Sequence, residues 1–112
     1  MNKEMELAWV AGFIDGEGCF SASASRTPNL RITQKTDYPL IRIQSILNAG
    51  KIYKRKTNIP AYEYYLGGQK LLAPLTVIEP LLFLKKKEAS AIIEFLSHRK
   101  RGEIFDYNFI RI

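Results

Sequence analysis

The sequence predicts an α+β fold: an α-β-β-α-β-β-α core in which a four-stranded antiparallel sheet packs on helices. Three observations point there. Two pairs of short, alternating segments are each joined by a turn cluster, Thr27-Pro28-Asn29 and Asn58-Ile59-Pro60. Between and after them run helical stripes, Leu40, Ile43, Ile46 and Leu47, then Ala89, Ile92, Ile93 and Leu96. With 112 residues, 46% hydrophobic and 25% charged, the chain has the size and composition of one globular domain, read here as residues 1–112.

The elements follow in order. Leu7 to Ile14 is an apolar run rich in alanine, which predicts a helix over about residues 4–14. It is apolar all round, so it needs covering on every side. Ala8, Ala11 and Gly12 lie at i, i+3 and i+4 and predict a small-residue face that a second copy's helix could approach closely. Trp9 and Phe13 form a bulky pair for the chain's own core. Gly16 and Gly18 are expected to end the helix. Residues 19–26 alternate as a strand, with Phe20, Ala22 and Ala24 on one face and Ser21, Ser23 and Ser25 on the other. Residues 27–29 read as a turn and 30–35 as the returning strand. Asp37 is placed to cap a helix over 38–48, with Pro39 in its first turn and Gly50 as its stop. A second hairpin pairs 51–57 with 61–66. Gly67-Gly68 leads into a helix over 69–78 that Pro74 shortens or kinks. Residues 85–100 form an amphipathic helix, and 101–112 carry no clear pattern.

Composition narrows function. Seventeen Lys and Arg against eleven Asp and Glu give a net charge of +6, which suits a polyanionic partner such as nucleic acid. The single cysteine, Cys19, excludes an intrachain disulfide and a cysteine zinc cluster. No apolar run is long enough to span a membrane, and the first residues lack a secretory pattern. An intracellular, non-secreted protein is expected, in cytosol, nucleus or an organelle such as chloroplast or mitochondrion. One sheet face must pack on the helices. The other carries Ser21, Ser23 and Ser25, then Asn29, Arg31 and Thr33, then Lys51, Tyr53 and Arg55. Such side chains on a twisted ribbon can read base edges in a major groove, although an ordinary solvated face has the same composition. Arg26 and Lys86 extend the expected DNA-binding set, and Arg31 and Arg55 are the expected base readers.

The run Trp9-Val-Ala-Gly-Phe-Ile-Asp-Gly-Glu-Gly18 resembles the LAGLIDADG motif of homing endonucleases and intron maturases, in the variant whose second acid is Glu. The resemblance continues through Ile32-Thr-Gln-Lys35 and Phe83-Leu-Lys-Lys-Lys-Glu-Ala89, and covers about residues 7 to 98. It implies a site-specific DNA endonuclease in which two motif helices cross at a two-fold axis. One motif per chain then implies a homodimer acting on double-stranded DNA at a pseudo-palindromic site, with no membrane partner. It assigns Glu17, with the Gly16 carbonyl, to a Mg²⁺ (or Mn²⁺) ion, and gives catalytic roles to Glu17, Gln34 and Lys85. Gln34 organises water, and Lys85 stabilises phosphate charge. Asp15 reads as structural. The chain departs from the pattern at Tyr38, where relatives place a basic residue, in a short first hairpin, and in little sequence beyond the basic helix. An RNA-binding intron maturase, a cleavage-deficient DNA binder and a basic dimeric regulator remain the competing readings.

Overall fold

Asn2 opens the first helix: its side-chain oxygen accepts the Met5 N–H at 2.8 Å, satisfying one of the unpaired donors of the first turn. The computed structural model describes residues 2–23, 26–100 and 102–106. Helix α1 (Lys3–Glu17) passes through Gly16 and ends at Glu17, beyond the expected stop at residue 14. The Gly18 N–H closes it on the Ile14 carbonyl. The second acid of the motif is therefore a residue of the last helical turn, not of the loop after it.

Strands β1 (Gly18–Ala22) and β2 (Pro28–Gln34) form the first hairpin. It turns earlier than expected. Pro28 and Asn29 belong to the strand, and the Ser23 N–H donates to the Thr27 carbonyl at 2.9 Å across the reversal. Proline is tolerated as the first residue of a strand, and Arg26 takes the left-handed backbone of the turn at φ 58. Arg26 thus lies in the turn, not on the ribbon; Ala24 and Ser25 lie outside the described residues.

Helix α2 (Tyr38–Leu47) starts without help from Asp37, whose side chain makes no capping bond. A capping residue needs an extended backbone, and Asp37 is already near-helical at φ −87, ψ −19. Asn48 ends the helix in the left-handed region at φ 52, a job expected of Gly50. Gly50 has a different task. At φ 100 it passes so close to Tyr64 that an added Cβ would lie 2.3 Å from the ring. Tyr64 is buried, donates its hydroxyl to the Ala49 carbonyl at 2.7 Å, and burial pushes its phenol well above the ordinary pKa.

Strands β3 (Lys51–Arg55) and β4 (Ala61–Gly67) complete an antiparallel sheet of order β1-β2-β4-β3. A 3₁₀ turn at Gly68–Leu71 feeds α3 (Leu72–Ile78), so Pro74 falls in the first turn, where its missing N–H does no harm. A second 3₁₀ turn, Glu79–Leu81, precedes α4 (Lys86–His98). The core lies between one sheet face (Phe20, Leu30, Ile32, Tyr64, Leu66) and the inner stripes of the four helices. Ala89, Ile92 and Leu96 of α4 are buried as expected, with Ile93 at the margin. Among the described residues no helix is long and apolar enough to cross a membrane.

Candidate active site

Two acids end α1 and go different ways. Asp15 is clamped: its carboxylate accepts the backbone N–H groups of Phe83 at 2.8 Å, Leu84 at 3.1 Å and Lys85 at 3.0 Å. The Lys85 ammonium in turn donates to the Asp15 carbonyl at 2.7 Å. Helix α1 has no basic residue in its own last turn, so Lys85 supplies the cation that the negative end of the helix dipole favours. The structural reading of Asp15 agrees with this geometry, and it explains how Lys85 comes to stand beside the motif.

Glu17 is exposed, and the neighbour recorded for its carboxylate is the Gln34 amide, 3.5 Å from Oε2. The same amide donates to the Thr33 carbonyl at 2.8 Å. Gln34 thus meets Glu17 where α1 ends and β2 finishes, while Lys85 reaches the same helix end from the start of α4 through Asp15. Glu17 and the Gly16 carbonyl are hard oxygen donors of the kind Mg²⁺ or Mn²⁺ takes. Among the described residues no group of three or more His, Cys, Asp or Glu could hold a metal.

The outer sheet face is built by register. One row reads Cys19, Arg31, Tyr65, Lys51; the next reads Thr33, Glu63, Tyr53; a third reads Ser21, Asn29, Gly67. Arg31, Thr33, Lys51, Tyr53 and Arg55 are exposed there, and Ser21 is half-buried. Ser23 is half-buried beyond the end of β1. Asn29 is a correction: expected as a contact residue, it is 0% exposed. Its Oδ1 accepts the Ser21 hydroxyl at 2.8 Å and the Arg31 Nε–H at 3.3 Å, so it organises its neighbours from below. Lys86 opens α4, off the sheet as the sequence predicts, with its ammonium 3.7 Å from Glu79. Sequence reasoning missed Glu63 and Tyr65. Strand β4 carries tyrosines on both faces, at 62, 64 and 65, and this blurs the period-two signal that exposed the faces of β1 to β3.

The small-residue face of α1 also differs from expectation. Ala11 is buried in the chain's own core, and the exposed stripe is Ala8, Gly12 and Gly16, at i, i+4 and i+8. A Cβ added at Gly12 or Gly16 meets nothing within 4 Å. Nothing among the described residues therefore asks for glycine at either position, although each costs a helix about 1 kcal/mol relative to alanine. Trp9 and Phe13 flank the stripe half-buried, 5.3 Å apart between ring centroids.

The chain is 30% identical over 107 residues to the DNA endonuclease I-CvuI of Chlorella vulgaris, covering 85% of this chain and spanning 66% of that relative's length. A crystal structure of I-CvuI with the I-CreI target in 2 mM Mg, its DNA not cleaved, matches with a TM-score of 0.71 and 26% identity. That match covers 85% of this chain and 68% of the other. The archaeal intron-encoded homing endonuclease I-Vdi141I, complexed with DNA, shares the fold at a TM-score of 0.70 with 19% identity, over 97% of this chain and 94% of the other. The family model for LAGLIDADG endonucleases matches residues 10–100, taking in most of α1, the whole sheet and α4, and with that the chain belongs to the LAGLIDADG endonuclease family.

Proposed function

We propose that residues 1–112 act as one domain of a site-specific DNA endonuclease of the homing type, working as a homodimer on a pseudo-palindromic duplex with Mg²⁺ or Mn²⁺. The observation that carries this reading is Glu17: an exposed carboxylate at the end of the motif helix, beside an amide and off the end of a basic sheet face. A protein that only bound DNA would gain nothing from a negative group facing phosphates. The duplex would lie on the outer sheet face, and affinity would fall with salt as Lys and Arg displace counterions.

Glu17 and the Gly16 carbonyl would hold the ion, and a second copy would bring the matching pair, because one chain supplies one Glu17. Pairing through Ala8, Gly12 and Gly16 accounts for glycines that the described residues of one chain do not require. When bound, the ion supplies Lewis-acid stabilisation of the scissile phosphate and lowers the pKa of water. Gln34 donates through its amide N–H toward Glu17 and Thr33, leaving its carbonyl oxygen to accept a hydrogen bond from an attacking water. Lys85 has three donors and the Asp15 carbonyl takes one, so the ammonium can also face charge developing on a phosphate.

The test is Glu17→Gln, assayed on a plasmid carrying the insertion junction of the chain's own intron. Cleavage in Mg²⁺ is expected to fall by roughly a hundredfold or more, while duplex binding in Ca²⁺ persists or tightens. Cleavage near the parent rate would refute the assignment.

A further inference from the structure

The middle of the outer sheet face holds a built cluster rather than a scatter of solvated side chains. The Arg31 Nε–H is held by the buried Asn29 at 3.3 Å, and its NH1 lies 3.8 Å from the Glu63 carboxylate. Its guanidinium carbon stands 5.2 Å from the centroid of the Tyr65 ring. Asn29 is fixed in turn by the Ser21 hydroxyl. Gly67 leaves room for Tyr65: a Cβ there would fall 2.5 Å from the Tyr65 hydroxyl, so a side chain at this position would displace the phenol. The Arg31 side chain stays 45% exposed and that of Glu63 21%.

The pair presents a defined pattern. The guanidinium has N–H donors left beyond those toward Asn29 and Glu63, and the carboxylate beside it only accepts. Across the major groove a G·C pair offers the complement, two acceptors on guanine (N7 and O6) followed by the cytosine amino donor. We propose that Arg31 and Glu63 together read one G·C base pair in each half-site, a step that rests on the DNA-binding reading above. Arg31 takes guanine N7 and O6, Glu63 takes the cytosine amino group, and Asn29 and Tyr65 are positioning residues for Arg31. The order matters. A C·G pair would set the amino group against the guanidinium and guanine N7 against the carboxylate, so the carboxylate rejects the reversed pair as well as accepting the correct one. A lone arginine would reject it less strongly.

The experiment is selection of bound sequences from a pool of randomised duplexes in Ca²⁺, using the full chain and its variants. The parent is expected to enrich a two-fold repeated site with an oriented G·C pair in each half. Arg31→Ala and Glu63→Gln should both lose preference at that one pair, by roughly 5- to 150-fold, and keep the rest of the profile. Tyr65→Leu should blunt the same pair and Tyr65→Phe should retain it, a pattern that a merely structural role would not produce. Replacing that guanine by 7-deazaguanine should weaken the parent and leave Arg31→Ala unaffected. The proposal is overturned if the two variants change different base pairs, if Glu63→Gln leaves the profile intact, or if either weakens all sequences alike. A parent that enriches no sequence would overturn the DNA-binding reading along with it, whereas the other outcomes leave that reading standing.

Discussion

Asp15→Asn separates the two acids of the motif. The side chain keeps its volume but loses one acceptor, and the oxygen that remains can serve Leu84 and Lys85 while the new amide confronts the Phe83 N–H. One charge-assisted bond, worth about 1.5–3 kcal/mol, disappears, and two others weaken by about 1 kcal/mol each as the charge goes. The clamp is half-open to solvent, so the sum is best discounted to about 2–4 kcal/mol. In a chain of this size that corresponds to a fall of about 10–15 °C in melting temperature. The assay is a thermal melt of parent and variant, paired with DNA cleavage measured well below both midpoints. Cleavage there is expected to survive, reduced only as far as the loosened turn lets Lys85 wander. A variant that melts within about 2 °C of the parent yet has lost cleavage would refute the structural assignment of Asp15.

Further expectations concern pairing and the core. Gly12→Leu should leave the single chain folded, since its Cβ meets nothing, and helix propensity should even favour it by about 1 kcal/mol. Sedimentation is expected to find a dimer for the parent and a monomer for this variant; a parent that stays monomeric with and without DNA would defeat the pairing. Gly50→Ala should destabilise by about 2 kcal/mol or more, because φ 100 and the Tyr64 ring both oppose a side chain; denaturant melts would detect it. Burial raises the Tyr64 pKa above its ordinary 10.0, so the unfolded chain gives up that proton first as pH rises. The stability this contributes is complete below about pH 10 and drains away above it. Tyr64→Phe should cost about 1 kcal/mol at neutral pH through the lost bond to Ala49, and should flatten the alkaline decline above about pH 10. An unchanged alkaline slope would count against it.

Much of this was legible in the sequence because it depends on local periodicity. The order of helices and strands, the inward stripe of α4 and the outward residues of β2 and β3 follow from spacing alone. What was not legible depended on long-range packing. Ala11 looked equivalent to Ala8 and Gly12 on an all-apolar helix; the packing of the whole core decides which side of that helix is covered, and it takes Ala11. Asn29 looked like a turn residue beside a proline, but the hairpin closes earlier and the strand carries it under Arg31. Glu63 and Tyr65 were hidden by the surrounding tyrosines. In the motif region the sequence named Glu17, Gln34 and Lys85; the structure sets Gln34 against Glu17 and Lys85 against Asp15, at the one end of α1. The clamp that brings Lys85 there crosses 70 positions of chain and leaves no local pattern.

The spacing of the two acids explains why they differ. Residues two apart on a helix point about 200° from each other, so the one helix end sends Asp15 toward the start of α4 and Glu17 toward the end of β2. Both sit at the negative end of the helix dipole, where carboxylates are disfavoured. Asp15 is compensated within the chain by three backbone N–H groups, with the Lys85 ammonium on its carbonyl. Glu17 has a neutral amide at 3.5 Å and open solvent. Of the two, Glu17 is therefore the group that gains most from an external cation. The fold has secured the acid that holds the structure together and left exposed the one proposed to bind metal. A charge change at Asp15 should accordingly be read in the melting temperature, and the same change at Glu17 in the cleavage rate.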